Sequence, residues 1–135
     1  MGILQIPRPL VNQILADAQR SPEAEICGLL GGQDGVVKSG YPVGNEAGEP
    51  LRRFRMEPAE QVDAMRRMRE AGEALVAIYH SHPCAPAEPS AIDIQEASYP
   101  EAAYLIVSLN TEGVLQLSAF EIKAGKASSL PVELL

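Results

Sequence analysis

The sequence predicts a mixed α/β domain in which a central sheet is flanked by helices. Two segments carry apolar residues at helical spacing, and several short apolar runs are bounded by turn residues. Apolar residues make up 46% of the 135 residues, which is enough for the core of one ordinary domain. We therefore expect residues 1–135 to form a single domain without an internal linker.

The first third of the chain predicts a helix followed by a β-hairpin. The helix spans 9–20 because one helical stripe of it is apolar: Leu10, Val11, Ile14, Leu15 and Ala18. Residues 25–32 are short and apolar, as in a buried strand. The turn residues at 33–35 then lead into a second strand that runs towards Tyr41.

The middle of the chain predicts a loop, a short strand and a second helix. Residues 44–50 are loop by composition, and 51–56 predict a strand with Phe54 and Met56 on one face. A helix then begins at Pro58 and stops at Gly72, with an inward stripe of Val62, Met65, Met68 and Ala71.

The remaining elements follow from apolar runs and the turn residues between them. We expect a buried strand at 75–82, a short helix at 91–98, a strand at 103–109, a turn at 110–113, a strand at 114–122, a turn at 123–126 and a last extended piece ending at Leu135.

The residues with most chemistry lie where the 75–82 strand ends. His80 and His82 are two apart, so a strand projects both imidazoles from one face. Asp93 follows a Pro-rich turn, at the start of a helix that Ser90 could cap. Two neutral histidines and one carboxylate are typical of a catalytic zinc site with an open position for water.

Each part of this pattern has an ordinary structural alternative. A lone strand histidine is commonly a packed or exposed residue, and Ser-x-x-Asp is a common helix start. However, the only two histidines of the chain lie immediately before a loop that returns a carboxylate. The combination therefore favours a metal site over separate structural roles.

Composition argues against several classes of partner. The net charge of −7 lacks the positive field that a general nucleic-acid binder needs. No apolar run is long enough to span a bilayer and the first residues lack a signal-peptide pattern, so we expect a soluble cytoplasmic protein. A homodimer is left open.

Two basic clusters and two cysteines each allow two interpretations. Arg52, Arg53 and Arg55, and likewise Arg66, Arg67 and Arg69, fit either a solvated face or a docking patch for an acidic partner. Cys27 and Cys84 fit ordinary buried thiols better than a disulfide in a cytosolic chain, although a bridge or redox switch is the alternative.

Together these residues resemble the JAMM/MPN+ metallopeptidases, also called the Mov34/MPN/PAD-1 family, in their short prokaryotic form. The resemblance rests on Glu25 within Ala-Glu-Ile-Cys-Gly-Leu-Leu-Gly-Gly, on His80 and His82 within H-x-H-P, and on Ser90 and Asp93 within S-x-x-D. It covers nearly the whole chain. It implies a fold related to cytidine deaminase, with a mixed central sheet between helices.

The resemblance also implies a mechanism and a substrate. His80, His82 and Asp93 would hold one Zn²⁺, Glu25 would act as general acid/base and Ser90 would stabilise the oxyanion. The implied substrate is a ubiquitin-like or sulfur-carrier protein, cut after its C-terminal Gly-Gly, with a lysine side chain, a cysteine or a peptide as the leaving group.

Three other interpretations of the same residues are weaker. A non-catalytic MPN scaffold would lack one or more metal ligands, and this chain has them all. A RadC-like protein carries a similar run, but the acidic balance and the Glu25 strand count against it. A zinc deaminase would need a second cysteine after Pro83-Cys84.

Overall fold

A computed structural model of the chain describes residues 1–110 and 115–135. Over these residues it has three helices and eight strands, in the following order: β1 (Leu4–Ile6), α1 (Arg8–Gln19), β2 (Cys27–Gln33), β3 (Val36–Val43), α2 (Pro58–Glu70), β4 (Ala74–His82), α3 (Ala91–Glu96), β5 (Ala103–Ser108), β6 (Gln116–Lys123), β7 (Lys126–Leu130) and β8 (Val132–Leu134). The mixed α/β class predicted from the sequence is confirmed.

All the described strands belong to one mixed sheet with the order β7-β6-β5-β4-β2-β3-β1-β8. Strand β4 lies near its middle, antiparallel to β2 and parallel to β5. A parallel neighbour requires a crossover between β4 and β5. That crossover contains the predicted motif loop and α3, so the sequence from His82 to Asp93 turns back over the end of β4.

The two faces of the sheet carry separate hydrophobic cores. On one face α1 contributes Val11, Ile14 and Ala18, which pack with Leu30 and Tyr79. On the other face α2 packs against β2, β3 and β4 through a core that contains Ala64, Met68, Leu29, Tyr41 and Ile78. The flanking helices therefore lie on opposite faces, as expected for an α/β domain.

Two details of the predicted middle region are wrong. Residues 51–56 form no strand; a turn at Pro50–Arg52 and one isolated bridge between Asn45 and Met56 occur there instead. In the predicted inward stripe of α2, Met68 is buried and Met65 packs against the core as expected, whereas Val62 is 68% exposed and Ala71 is exposed. Ala64, which was not predicted, is buried in their place.

Most of the predicted turns are observed in the structure. Asp34 and Gly35 have positive φ in the β2–β3 turn, Gly72 ends α2 with a φ of +74°, and Ala124 and Gly125 form the β6–β7 turn. Gly72 suits its position because positive φ is costly for residues with a Cβ atom. The predicted turn at 110–113 and the predicted start of a strand at Val114 lie largely outside the described residues. Among the described helices, none is both long and apolar enough to cross a membrane.

Candidate metal centre

Strand β4 places both histidines in the interior of the protein. His80 lies opposite Cys27 of β2 and Ile106 of β5, so it has a hydrogen-bonded strand on each side. The two side chains are 1% and 3% exposed. Because they are two residues apart on a strand, the rings project from the same face, at 4.9 Å between their centroids.

Asp93 reaches the same point from the first turn of α3. The Ser90 hydroxyl accepts a hydrogen bond from the Asp93 backbone N–H at 3.0 Å. The Ser90 backbone N–H in turn donates to Asp93 Oδ2 at 2.9 Å. This capping box fixes the carboxylate while it satisfies two N–H groups that the helix start leaves free.

Three side-chain atoms then form a nearly equilateral triangle. His80 Nε2 and His82 Nε2 are 3.1 Å apart, and they lie 3.1 Å and 3.0 Å from Asp93 Oδ2. The ligand atoms of a tetrahedral ion with bonds of about 2.0 Å are separated by about 3.3 Å. The triangle therefore has the size that a divalent ion requires, and we call it the tripod.

The protonation state of the tripod residues also favours the binding of a cation. His82 Nδ1 lies 2.7 Å from the carbonyl oxygen of Pro86, which can only accept, so Nδ1 carries the proton. In neutral His82 the Nε2 lone pair then faces the tripod, as does the Asp93 carboxylate. Converging lone pairs in a buried space are stabilised by a positive charge, and the backbone contact to Pro86 is typical of ligating histidines.

Glu25 joins the tripod from the segment that precedes β2. Continuing the antiparallel register from Cys27 opposite His80 places Glu25 opposite His82. Its side chain belongs to a buried cluster with His80, His82 and Asp93, in which one ligand atom of each residue lies within 4.8 Å of the others. The structure thus brings together four of the five residues predicted from the sequence.

The carboxyl group of Glu25 lies in an environment that disfavours its charge. Glu25 is 3% exposed, and in the described part of the protein its Oε1 is buried without a hydrogen-bond partner. Burial, with a smaller contribution from the negative charge of Asp93, raises the pKa of Glu25 to about 8. A carboxyl group with a pKa near neutrality can both accept and release a proton.

The tripod residues respond differently to their burial. For Asp93, burial alone would raise the pKa, but hydrogen bonds with His80 and His82 outweigh it and the pKa is lowered. Burial lowers the pKa of His80. The pKa of His82 is raised because contacts with Asp93 and Pro86 outweigh its burial. A charged Asp93 beside a neutral His80 is the state in which both can bind a metal.

Ser90, the fifth predicted residue, is half-buried and caps α3. Its oxygen accepts the Asp93 N–H, so the hydroxyl proton remains available to a ligand. The capping alternative considered for Ser90 is therefore observed, and it leaves the hydroxyl able to donate.

Two further residues of the site were missed by the sequence reasoning. The Asn45 side chain donates from Nδ2 to the carbonyl oxygens of Glu25 (3.0 Å) and Arg53 (3.1 Å), while its Oδ1 accepts two backbone N–H groups. Phe54 stacks on His80 with ring centroids 4.6 Å apart. The only signal in the sequence for these two residues was an asparagine near the start of a predicted loop. Contacts with distant segments leave no local pattern in the sequence.

The cysteines and arginines favour the simpler of their two interpretations. Cys27 and Cys84 are both free thiols; Cys27 is buried as predicted, but the prediction is wrong for Cys84, which lies exposed in the loop after β4. Burial, and then the nearby Glu25, raises the pKa of Cys27 to about 12, which disfavours the reactive thiolate. Arginines of both clusters pair with neighbouring acids, as on a solvated face: Arg53 with Glu96, Arg55 with Glu46, Arg66 with Asp63 and Glu70, and Arg67 with Asp63.

Comparison with known families identifies the domain. Residues 7–122 match the profile of Prok-JAB, the prokaryotic homologs of the JAB domain. The chain belongs to this family. It is a short prokaryotic member of the JAMM/MPN class and a hydrolase, as the sequence resemblance implied.

Relatives with assigned activities are similar over most of the chain. A CysO-cysteine peptidase of Mycobacterium tuberculosis is 34% identical over 132 residues, which are 96% of this chain and 90% of that protein. A desampylase of Haloferax volcanii is 40% identical over 93 residues, or 67% of each chain.

Solved structures share the fold. The solution structure of protein DSY2949 from Desulfitobacterium hafniense is 34% identical, has a TM-score of 0.88, and the match covers 98% of this chain and 93% of that one. The JAB1/MPN domain protein AF2198 from Archaeoglobus fulgidus is 22% identical, with a TM-score of 0.63 over 96% of this chain and 98% of its own, and is similar in fold alone.

Proposed function

We propose that this Prok-JAB protein is a zinc-dependent peptidase that hydrolyses the amide bond after the C-terminal Gly-Gly of a ubiquitin-like or sulfur-carrier protein. The observation that carries the proposal is the tripod with Glu25 beside it: three buried ligand atoms at the spacing of a metal, and a carboxyl group whose Oε1 has no hydrogen-bond partner among the described residues. The substrate class is supported by similarity to the CysO-cysteine peptidase and the desampylase.

His80, His82 and Asp93 would hold the ion through Nε2, Nε2 and Oδ2. Two imidazoles and one carboxylate are a donor set typical of catalytic zinc. When bound, zinc supplies a water of near-neutral pKa and a positive charge that polarises the substrate carbonyl.

Glu25 is assigned the proton transfers. It lies opposite His82, with one ligand atom within 4.8 Å of those of the tripod residues, and its Oε1 has no competing partner in the described structure. It takes a proton from the attacking water and delivers that proton to the leaving nitrogen, which would otherwise depart as an unstable anion. A bound cation would lower its pKa from about 8, which favours its role as a base at neutral pH.

Ser90 is assigned the stabilisation of the developing oxyanion. Its hydroxyl is held by the capping box beside Asp93, so it points from a fixed helix start rather than from a flexible loop. One donor at the position where negative charge develops is typically worth about 10²- to 10³-fold in kcat.

The function is tested by mass spectrometry of a ubiquitin-like carrier with a short C-terminal extension after Gly-Gly. We expect one cut directly after Gly-Gly, no cut with a chelator, and at least about 100-fold slower cutting by Glu25→Gln with its zinc retained. A carrier that ends in Ala-Ala before the same extension is the matched substrate control. An intact Gly-Gly carrier in the presence of zinc-loaded protein would contradict the proposal.

A further inference from the structure

A cavity of 280 Å³ lies beside the tripod and has no part in the proton transfers proposed above. It opens between the loop that precedes α2, the start of α2 itself and helix α3, with β4 and β5 beneath it. Its apolar walls include six large side chains: Phe54, Met56, Ile78, Ile92, Tyr99 and Tyr104. We call this cavity the apolar pocket.

The apolar pocket is continuous with one side of the tripod. His80 and Asp93 are among the residues that line it, whereas His82 and Glu25 are not. A group bound in the pocket would therefore lie beside two of the residues proposed to hold the metal.

The walls of the pocket suit an uncharged side chain. Ile78 and Tyr104 are buried beneath it, whereas Phe54, Ile92 and Tyr99 are half-buried and keep apolar surface exposed to it. Its volume of 280 Å³ is just below that of typical small-molecule sites. It therefore has room for one side chain rather than for a folded segment.

Apart from the buried carboxylate of Asp93, the charged residues of the pocket lie at its mouth. Arg55 and Glu96 line the pocket and are exposed to solvent. Glu96 also pairs with Arg53, which joins the loop to α3. Charged groups at the mouth and apolar groups inside would select for an occupant that is apolar at its end.

We infer that the apolar pocket binds an aliphatic or aromatic side chain on the residue whose amide nitrogen leaves. The inference rests on the proposed function, in which the residues before the cut are Gly-Gly and have no side chain to place there. A side chain adjacent to the bond must then come from the leaving residue. Filling such a pocket typically changes kcat/KM by about 10- to 200-fold.

The test compares one-residue extensions on the same Gly-Gly carrier, using zinc-loaded protein. We expect leucine and phenylalanine to be released at least about 10-fold faster than aspartate, measured as kcat/KM. Ala97→Leu extends a side chain from a lining position, so it should lower the preference for leucine over glycine, as a ratio of kcat/KM values, at least about 10-fold. Gln95→Leu, an exposed position of α3 that does not line the pocket, is the matched control and should change neither rate.

A second measurement does not depend on turnover. Leucinamide added to the metal-free protein should shift the ¹³C-methyl NMR signals of Ile92 and Ile78 in wild type and in Gln95→Leu, but not in Ala97→Leu. Equal release of leucine and aspartate, or an Ala97→Leu variant with unchanged preference, would overturn the pocket and leave the peptidase intact. If no extension is cut at all, the proposed function fails and the inference fails with it.

Discussion

At the scale of single residues, Glu25 is the clearest sign that the site is specialised. A carboxyl group is costly to bury without a partner, yet Glu25 is 3% exposed and its Oε1 is unpaired within the described structure. Its backbone is fixed by a 2.7 Å hydrogen bond to Pro50 and by the Asn45 amide. The fold thus holds an unfavourable group in place beside the tripod, which is typical of a functional site.

This burial predicts a pH-dependent stability in the metal-free protein. The folded-state pKa of Glu25, about 8, is above its ordinary value of 4.5, so the folded protein retains a proton that the unfolded chain has lost. Its contribution is complete below about pH 4.5 and is lost as the pH rises towards 8. Relative to Glu25→Gln, chelator-treated wild type should lose on the order of 4 kcal/mol of unfolding free energy over this range.

Urea unfolding of both proteins at about pH 5.5 and about pH 8.5, which cover most of this range, measures the difference in unfolding free energy. Glutamine is the matched replacement because it keeps the shape of the side chain and cannot ionise. Parallel stability curves for the two proteins would show that Glu25 ionises normally in the fold.

Ser90 has two roles that two substitutions can separate. Ser90→Ala removes both the cap and the hydroxyl, so it should cost about 1 kcal/mol of stability and about 10²-fold in kcat. Ser90→Gly removes the hydroxyl at a capping cost of only about a few tenths of a kcal/mol, so it should nearly retain stability and lose the same activity. Thermal unfolding and carrier cleavage measure the two effects. Full activity in Ser90→Gly would leave Ser90 with the cap alone.

At the scale of elements, the segment between β3 and α2 matters more to the site than its lack of regular structure suggests. Asn45 links it to Glu25, and Phe54 places an aromatic ring against His80. The Asn45–Met56 bridge closes the segment at its base. It thus holds the proposed proton carrier and one tripod residue at the same time.

Asn45→Ala tests this coupling. We expect kcat to fall at least about 10-fold with KM and zinc content little changed, because the loss affects the position of Glu25 rather than the tripod. Asn12→Ala, on the exposed side of α1, is the control for replacing an asparagine and should behave as wild type. Loss of zinc in parallel with activity would instead indicate that the segment supports the tripod directly.

At the scale of the whole molecule, the sequence predicted those features whose signal is local. Strand β4 and the motif after it could be found because His80 and His82 share a strand and Ser90 and Asp93 share a helix start. The predicted strand at 51–56 is wrong. This stretch contains three arginines, whose charged ends favour solvent, and it forms a loop. The burial of Glu25 could not be predicted from spacing, since it depends on the β2–β4 register, which is a tertiary pairing.

The packing of α2 shows the same limit. Val62 and Met68 are both apolar and both belong to the predicted inward stripe, yet Met68 is buried and Val62 is exposed. Which residues of the stripe meet the sheet depends on how the helix docks, and the sequence of the helix alone does not specify that.

The proposed peptidase activity depends on the tripod, and the metal content of the protein is its most direct test. Purified protein should contain about one zinc per chain, and His82→Ala should lose most of it, because two of three ligands cannot hold a catalytic ion tightly. Glu25→Gln should keep it. Undiminished zinc in His82→Ala would contradict the tripod and, with it, the proposed peptidase.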